Sequence, residues 1–360
     1  MSSRDVAPLK VGFLDEGLTE DPQAFAGEGS RPLRMRFDEA LSTGELDRPV
    51  ELVVRRGVGL PRGTAKAVQD AWHALADDGC LVILGPGITD NCIAVTPLFE
   101  TRGVPTINFP GTTLSRGLFG FQYQLGALYW DGPLIAGAMA RAGLHQIAVI
   151  RDKSPIGAEY FDYFSAECEH LGISIARDLK CSPVADDLTT TVEQARAAEP
   201  DALVYLGFGG VLGVLSRALT AAGWSPPRFT TTAGMHFYTK TPDEREQLKG
   251  WVYVDQVDER NTAYTGLQDR YEQRFGERPV SPLTGALYDL ATLAVLGLRN
   301  ATVRTPDGVR EGLERIHQVP AALGGPGTVM GFGPWERTAL KGKDYLVLRQ
   351  MDGQVTRPYE

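Results

Sequence analysis

The residues with the means to do chemistry lie in glycine-rich turns that follow short apolar runs. Gly85-Pro86-Gly87-Ile88-Thr89-Asp90-Asn91 follows Leu81–Leu84 and precedes a helical pattern. Glycines let a main chain approach a ligand, and a helix start offers free N–H groups. Thr89, Asp90 and Asn91 stand there as helix caps or as ligand contacts. After Val104–Ile107 comes Asn108-Phe109-Pro110-Gly111-Thr112-Thr113. This Pro-Gly turn with two hydroxyls reads as an ordinary turn or as a seat for a small polar head group.

Further along, Gly207-Phe208-Gly209-Gly210 clears space beside an aromatic ring, and Ala233-Gly234-Met235-His236-Phe237 is apolar and aromatic. Tyr129, Trp130 and Asp131 add two more rings and a carboxylate. With the turn after Leu14, these segments describe a largely apolar pocket with a few polar anchors. The expected contacts are Leu14, Thr89, Asp90, Asn91, Gly111, Thr112, Thr113, Tyr129, Trp130, Phe208, Gly209, Gly234, Met235 and His236.

Catalytic patterns are missing from the sequence. It has no Gly-x-Ser-x-Gly elbow and no His-Glu-x-x-His helix, and the Gly85 turn lacks the lysine of a phosphate-binding loop. Of His73, His145, His170, His236 and His317, only His236 falls in a candidate turn. It has no visible partner, so it reads as a donor or rim residue. Asp77-Asp78 and Asp186-Asp187 fall at helix ends, where capping and solvation dominate. Cys80, Cys92, Cys168 and Cys181 form no CxxC pair and no metal-ligand spacing; they read as reduced thiols, with a Cys80–Cys92 disulfide left open. The expectation is a binding protein with no cofactor and no metal. An enzyme on the same scaffold would draw on Asp90, Asp131 and His236.

The elements that must position these turns alternate along the chain. Strands are expected at Val11–Leu14, Val50–Arg55, Leu81–Leu84 and Val104–Ile107, with helices at Arg34–Leu41, Ala65–Leu75 and Ile93–Arg102 between them. A second set has strands at Ile147–Ile150, Ile173–Ala176, Ala202–Leu206, Phe229–Thr232 and Trp251–Val254. Its helices are Pro133–Ala142, Ala158–Leu171, Leu188–Ala198 and Val211–Ala222. Helices at Thr262–Phe275, Thr284–Asn300 and Pro306–Ile316 follow, then a strand at Asp344–Gln350. Short apolar strands alternating with amphipathic helices predict parallel sheets covered on both faces, in an α/β fold. Ligands of such sheets sit beyond the carboxyl ends of the strands.

At 360 residues the chain is long enough for two domains. The late helices have few strands of their own, so they complete units begun earlier. The chain is therefore expected to cross between its lobes more than once. The net charge of −9 comes without a basic cluster, which argues against nucleic acid. No apolar run reaches membrane-spanning length. Met1–Lys10 lacks the basic start and apolar core of a secretion signal, so the sequence as it stands reads as cytoplasmic, or as extracytoplasmic where a leader has been removed.

The order of several segments resembles the type I periplasmic binding proteins, in particular the branched-chain amino-acid (leucine-isoleucine-valine) receptors of ABC transporters. The carriers are Val11-Gly12-Phe13-Leu14, Leu84-Gly85-Pro86, Gly103-Val104-Pro105-Thr106-Ile107, Pro110-Gly111-Thr112-Thr113, Ala148–Lys153 with Gly157, Pro200–Tyr205 and Tyr288-Asp289. The resemblance covers nearly the whole chain. It implies two Rossmann-like lobes, one at 1–126 plus 257–332 and the other at 127–256 plus 333–360, three hinge crossovers near 124–128, 254–258 and 331–335, and closure on a ligand. It also implies that the Thr89–Asn91 and Gly111–Thr113 segments grip the α-carboxylate and amine, with Tyr129, Ile156, Phe208 and Ala233–Met235 added by the second lobe.

Against that pattern the chain has Ala233 where these receptors have an acid, Ile156 at an aromatic position, and Thr89-Asp90-Asn91 in place of a serine-rich loop. An ammonium buried without a counter-charge is costly. The expected ligand is therefore apolar or aromatic, a carboxylic acid or an amide, delivered to an ABC permease. Two alternatives are a cytoplasmic ligand sensor acting on a regulatory protein, and a branched-chain amino-acid receptor.

Overall fold

The computed structural model describes residues 7–17, 29–236, 242–279, 283–342, 344–353 and 355–359. Its first stretch contains β1 (Leu9–Asp15), α1 (Arg31–Ser42), β2 (Val50–Arg56), α2 (Ala65–Asp77), β3 (Val82–Leu84), α3 (Thr89–Arg102), β4 (Thr106–Asn108) and β5 (Gly120–Gln122). The five strands form a parallel sheet in the order β2-β1-β3-β4-β5. Burial on both faces explains the unbroken apolar run of β3. The α2 helix shows how sequence spacing becomes packing. Thr64 caps it by accepting from Ala67 N, and Val68, Ala71, Trp72 and Leu75 recur at helical spacing. That stripe packs against Leu14, Ile83, Val95 and Phe99. The indole of Trp72 keeps its own hydrogen bond, to Thr106 Oγ1 at 3.1 Å.

The second stretch contains α4 (Leu128–Arg141), β6 (Gln146–Asp152), α5 (Pro155–His170), β7 (Ser174–Cys181), α6 (Thr189–Arg196), β8 (Ala202–Leu206), α7 (Leu212–Ala221), β9 (Arg228–Thr230), α8 (Thr232–His236), α9 (Pro242–Gln247) and β10 (Trp251–Asp255). The remainder supplies α10 (Thr262–Phe275), α11 (Leu283–Asn300), α12 (Pro306–Leu313), β11 (Val319–Pro320), β12 (Val329–Met330), β13 (Leu340–Lys341), β14 (Val347–Asp352) and β15 (Val355–Pro358). Seven strands form the second sheet, in the order β15-β14-β10-β9-β8-β6-β7. Its body is parallel, and β14 joins β10 antiparallel. The chain thus has the mixed α/β fold with parallel sheets that the sequence predicts.

The described residues fall into two compact units. One comprises residues 1–124 and 257–345, the other 125–256 and 346–360. The last passage therefore lies at 345/346, whereas the resemblance implied one near 331–335. The reason is backbone pairing. Gln122 N donates to Arg337 O and Ala339 N donates to Gln122 O, both at 2.8 Å, while Leu340 N donates to Gln124 Oε1 at 2.9 Å. Residues 337–340 thereby flank β5 and stay with the first unit.

Two further expectations change. Thr232 opens a helix instead of closing a strand, and α3 begins at Thr89 rather than at residue 93. All four cysteines are free and buried, so the Cys80–Cys92 disulfide left open by the sequence is not formed. Among the described residues no helix is long and apolar enough to cross a membrane.

Candidate ligand-binding site

In the first unit three strand ends contribute neighbouring residues at the carboxyl edge of the sheet. Glu16 follows β1, Gly85–Thr89 follows β3, and Phe109–Thr113 follows β4. The last two segments touch. Phe109 N donates to Pro86 O at 3.0 Å, and a Cβ on Gly87 would lie 2.1 Å from the Phe109 ring. Only glycine permits that approach.

Thr89 is the first residue of α3, 1% exposed, and its hydroxyl has no hydrogen-bond partner among the described residues. Such a group is costly unless something else completes it. Asn91, by contrast, is fully engaged. Its Nδ2 donates to Glu16 Oε2 at 2.7 Å and to Leu60 O at 3.2 Å, and its Oδ1 accepts from Leu60 N at 2.9 Å. Asp90 is half-buried.

Gly111 and Thr112 are buried and Thr113 is half-buried. The Thr112 hydroxyl accepts from Leu114 N at 3.1 Å, and its carbonyl, with that of Pro110, accepts from Gln122 Nε2. This turn is therefore held from beneath by β5. Leu14 is a core residue packed among Val68, Trp72 and Ile83, which corrects the expectation of a ligand contact there.

The residue that sequence reasoning missed is Glu16. It is 2% exposed, and its carboxylate accepts from Gly87 N at 2.5 Å, from Ile88 N at 2.9 Å and from Asn91 Nδ2. Burial pushes its pKa up to about 7, although the hydrogen bonds from Asn91, Gly87 and Ile88 oppose the rise. An acid directly after an apolar strand, opposite a glycine turn that starts a helix, was the available signal.

In the second unit the turns after β6, β8 and β9 are joined by two buried carboxylates. Asp152 accepts from Tyr205 Oη at 2.8 Å and from Phe208 N at 2.9 Å. Burial raises its pKa, opposed by those two bonds. Gly209, at φ +94°, lies against the 233–234 backbone, where a Cβ would come within 2.3 Å of Gly234 O. Ser154 caps α5 by accepting from Gly157 N, which places Ile156 in the first turn, buried. Phe208 is half-buried.

Asp131 accepts from Ala127 N at 3.1 Å, Thr232 N at 2.8 Å and Tyr160 Oη at 3.2 Å. Burial raises its pKa to about 6, and the bonds from Thr232, Ala127 and Tyr160 limit the rise. Fully enclosed, this carboxylate ties the first turn of α4 to α8. Tyr129 in that first turn is half-buried beside Tyr163, and Trp130 is 52% exposed. Gly234 is buried within α8. Met235 corrects the expectation that it lines a pocket, because it lies in the core cluster that contains Tyr205, Leu215, Trp251 and Tyr253. The side chain of His236, and Phe237, lie outside the described residues.

The architecture and these turns match a known pattern. The family model for periplasmic binding protein covers residues 8–338. The chain belongs to the periplasmic binding protein family. Solved structures agree in fold. A type 1 periplasmic binding protein from Bordetella pertussis Tohama I is 18% identical, with 98% of this chain and 100% of that chain covered and a TM-score of 0.83. A leucine-binding protein, LivK, from Thermotoga maritima is 15% identical over 98% of both chains, with a TM-score of 0.80. An ABC transporter substrate-binding protein from Desulfitobacterium hafniense, in complex with Leu, is 14% identical, with 98% and 100% coverage and a TM-score of 0.78. Among curated proteins none matches. At these identities the solved structures establish the fold of this periplasmic binding protein family member, and its ligand has to be argued from its own residues.

Proposed function

We propose that the protein is the solute-binding component of an ABC-type uptake system and works outside the cytoplasm. Its ligand is a small molecule with an apolar or aromatic body and one polar head, a carboxylic acid or an amide. The observation that carries this reading is the Thr89 hydroxyl, buried without a partner among the described residues in the first turn of α3. Family membership and the gathering of turns at the carboxyl edge of each sheet support it. In the second unit Tyr129, Ile156 and Phe208 offer the apolar surface.

The mechanism is hinge closure. The closed form gains population because the ligand binds it more tightly than the open one. The Asp131 and Asp152 carboxylates act as braces, since their oxygens are spent on backbone and tyrosine donors.

Thr89→Val tests the assignment. Without ligand the variant is more stable by about 1 kcal/mol, because an unsatisfied hydroxyl is gone. With ligand found by thermal-shift screening of aromatic acids, their amides and amino acids, it binds about tenfold more weakly by calorimetry. Equal affinity of variant and parent would remove Thr89 from the site. Leucine as the sole stabilising compound would favour the amino-acid reading, which the leucine complex of the Desulfitobacterium hafniense protein keeps in view.

A further inference from the structure

The turn that leads into α3 already holds a carboxyl group, and it is the protein's own. This helix is 14 residues long. Helix starts attract negative groups through free N–H donors and the aligned peptide dipoles. Here Glu16 Oε1 takes the N–H groups of Gly87 and Ile88, and Oε2 takes Asn91 Nδ2. The arrangement is braced. Asn91 is fixed through both of its polar atoms by Leu60, and a Cβ on Gly59 would fall 2.3 Å from Asn91 Nδ2. Asp15, the neighbouring acid, is paired with Arg56 at 2.9 Å. One residue beyond Ile88 stands Thr89, whose buried hydroxyl has no partner among the described residues. The same turn thus combines a filled anion position with an unanswered hydrogen-bonding group.

We infer that Glu16 sets the polar chemistry of the ligand: with the start of α3 occupied by this carboxylate, the Thr89 end of the site accepts an N–H donor, an amide or an amine, and rejects a carboxylate. The inference rests on the solute-binding reading above and decides between the acid and the amide that it leaves open. A ligand carboxylate brought to this turn finds the Gly87 and Ile88 amides taken and, where Glu16 is ionised, meets a like charge in a buried setting. An N–H donor finds acceptors, the Thr89 oxygen and the Glu16 lone pairs that its three donors leave over.

Two measurements test separate links. Glu16→Ala frees the Gly87 and Ile88 amides, and sodium acetate is the probe. Acetate is expected to raise the melting temperature of the variant and not of the parent. An equal rise in the parent, or no rise in the variant, overturns the claim that Glu16 fills an anion position.

The second measurement uses the near-isosteric Glu16→Gln, which serves also if the alanine variant does not fold. Calorimetry compares 4-methylpentanoate, 4-methylpentanamide and 4-methylpentylamine. The parent is expected to bind the amide or the amine at least about tenfold more tightly than the acid, and Glu16→Gln to narrow that ratio by about tenfold. Preference of the parent for the acid, or an unchanged ratio in Glu16→Gln, overturns the specificity assignment. Acetate rescue combined with no binding of any of the three compounds overturns the solute reading at this turn, while Glu16 stands as its internal anion.

Discussion

Tyr205 in β8 donates its phenolic hydrogen to the carboxylate of Asp152 in β6 at 2.8 Å, and the other Asp152 oxygen accepts from Phe208 N. One buried acid therefore holds both a strand neighbour and the turn beyond it. Gly209 N donates to the Tyr205 oxygen at 3.2 Å and completes the brace. Removing that oxygen by Tyr205→Phe is expected to cost about 1–3 kcal/mol, because Asp152 Oδ1 keeps only the long thiol contact from Cys181 at 3.9 Å. Urea unfolding measures the cost. Hydrogen exchange should show faster exchange at Phe208 and Gly209 than at the centre of β8.

Three enclosed carboxyls give stability a definite pH trend. Glu16 and Asp289 are pushed up to about 7 and Asp131 to about 6, each chiefly by burial. Unfolding returns them to ordinary carboxyl values of about 4. Between roughly pH 4 and 7 the folded state therefore binds more protons than the unfolded state, and stability falls as pH rises through that window. Above about pH 7 these groups add no further slope. Each contributes at most about 1.4 kcal/mol per pH unit. Asp289→Asn should flatten the trend, read from urea unfolding at several pH values between about 4 and 8. A slope unchanged by the substitution would remove Asp289 from the account.

Gly126, at φ +77°, opens the second unit's first segment and donates its N–H to Gln256 Oε1 at 2.9 Å. A Cβ there would come within 2.8 Å of Thr232. Gly126→Ala combines a left-handed backbone with that overlap and is expected to destabilise by about 1–3 kcal/mol. Gly143, equally left-handed at φ +71° but with open space around its Cβ position, serves as the control and should lose less under the same substitution.

The four thiols should be silent in the native state. All are buried, and burial pushes Cys80, Cys168 and Cys181 up to about 12 and holds Cys92 well above the usual thiol range. Thiolate is the reactive form. A colorimetric thiol reagent should therefore label none in buffer and all four after denaturation. Fewer than four after denaturation without reductant would reveal a disulfide.

Much of this architecture could be read from the residues because each element has a local cause. The stripe of Val68, Trp72 and Leu75 specifies α2, and the all-apolar β3 and the apolar β8 announce strands buried on both faces. Gly103 ends α3 in a left-handed cap. What stayed hidden depends on partners far away in sequence. The β5 strand Gly120–Gln122 is only three residues long, and the segment 337–340 becomes extended only because β5 is there to pair with it. Asn91 looked like a ligand contact because its type and position suit one, yet Leu60 and Glu16 consume its donors and acceptor. Leu14 and Met235 border the candidate turns but pack in the core clusters, a distinction that strand and helix phase alone did not settle.

The antiparallel pairing of β10 with β14 has a bearing on biosynthesis. When β10 leaves the ribosome, the strand that will cover its outer edge has not been translated, and all of α10, α11 and α12 must come first. Over that interval the nascent chain presents an open ladder of N–H and C=O groups, the kind of edge that recruits foreign strands. Premature termination before Val347 would make that exposure permanent, and such products would be substrates for chaperones and proteases rather than miniature receptors.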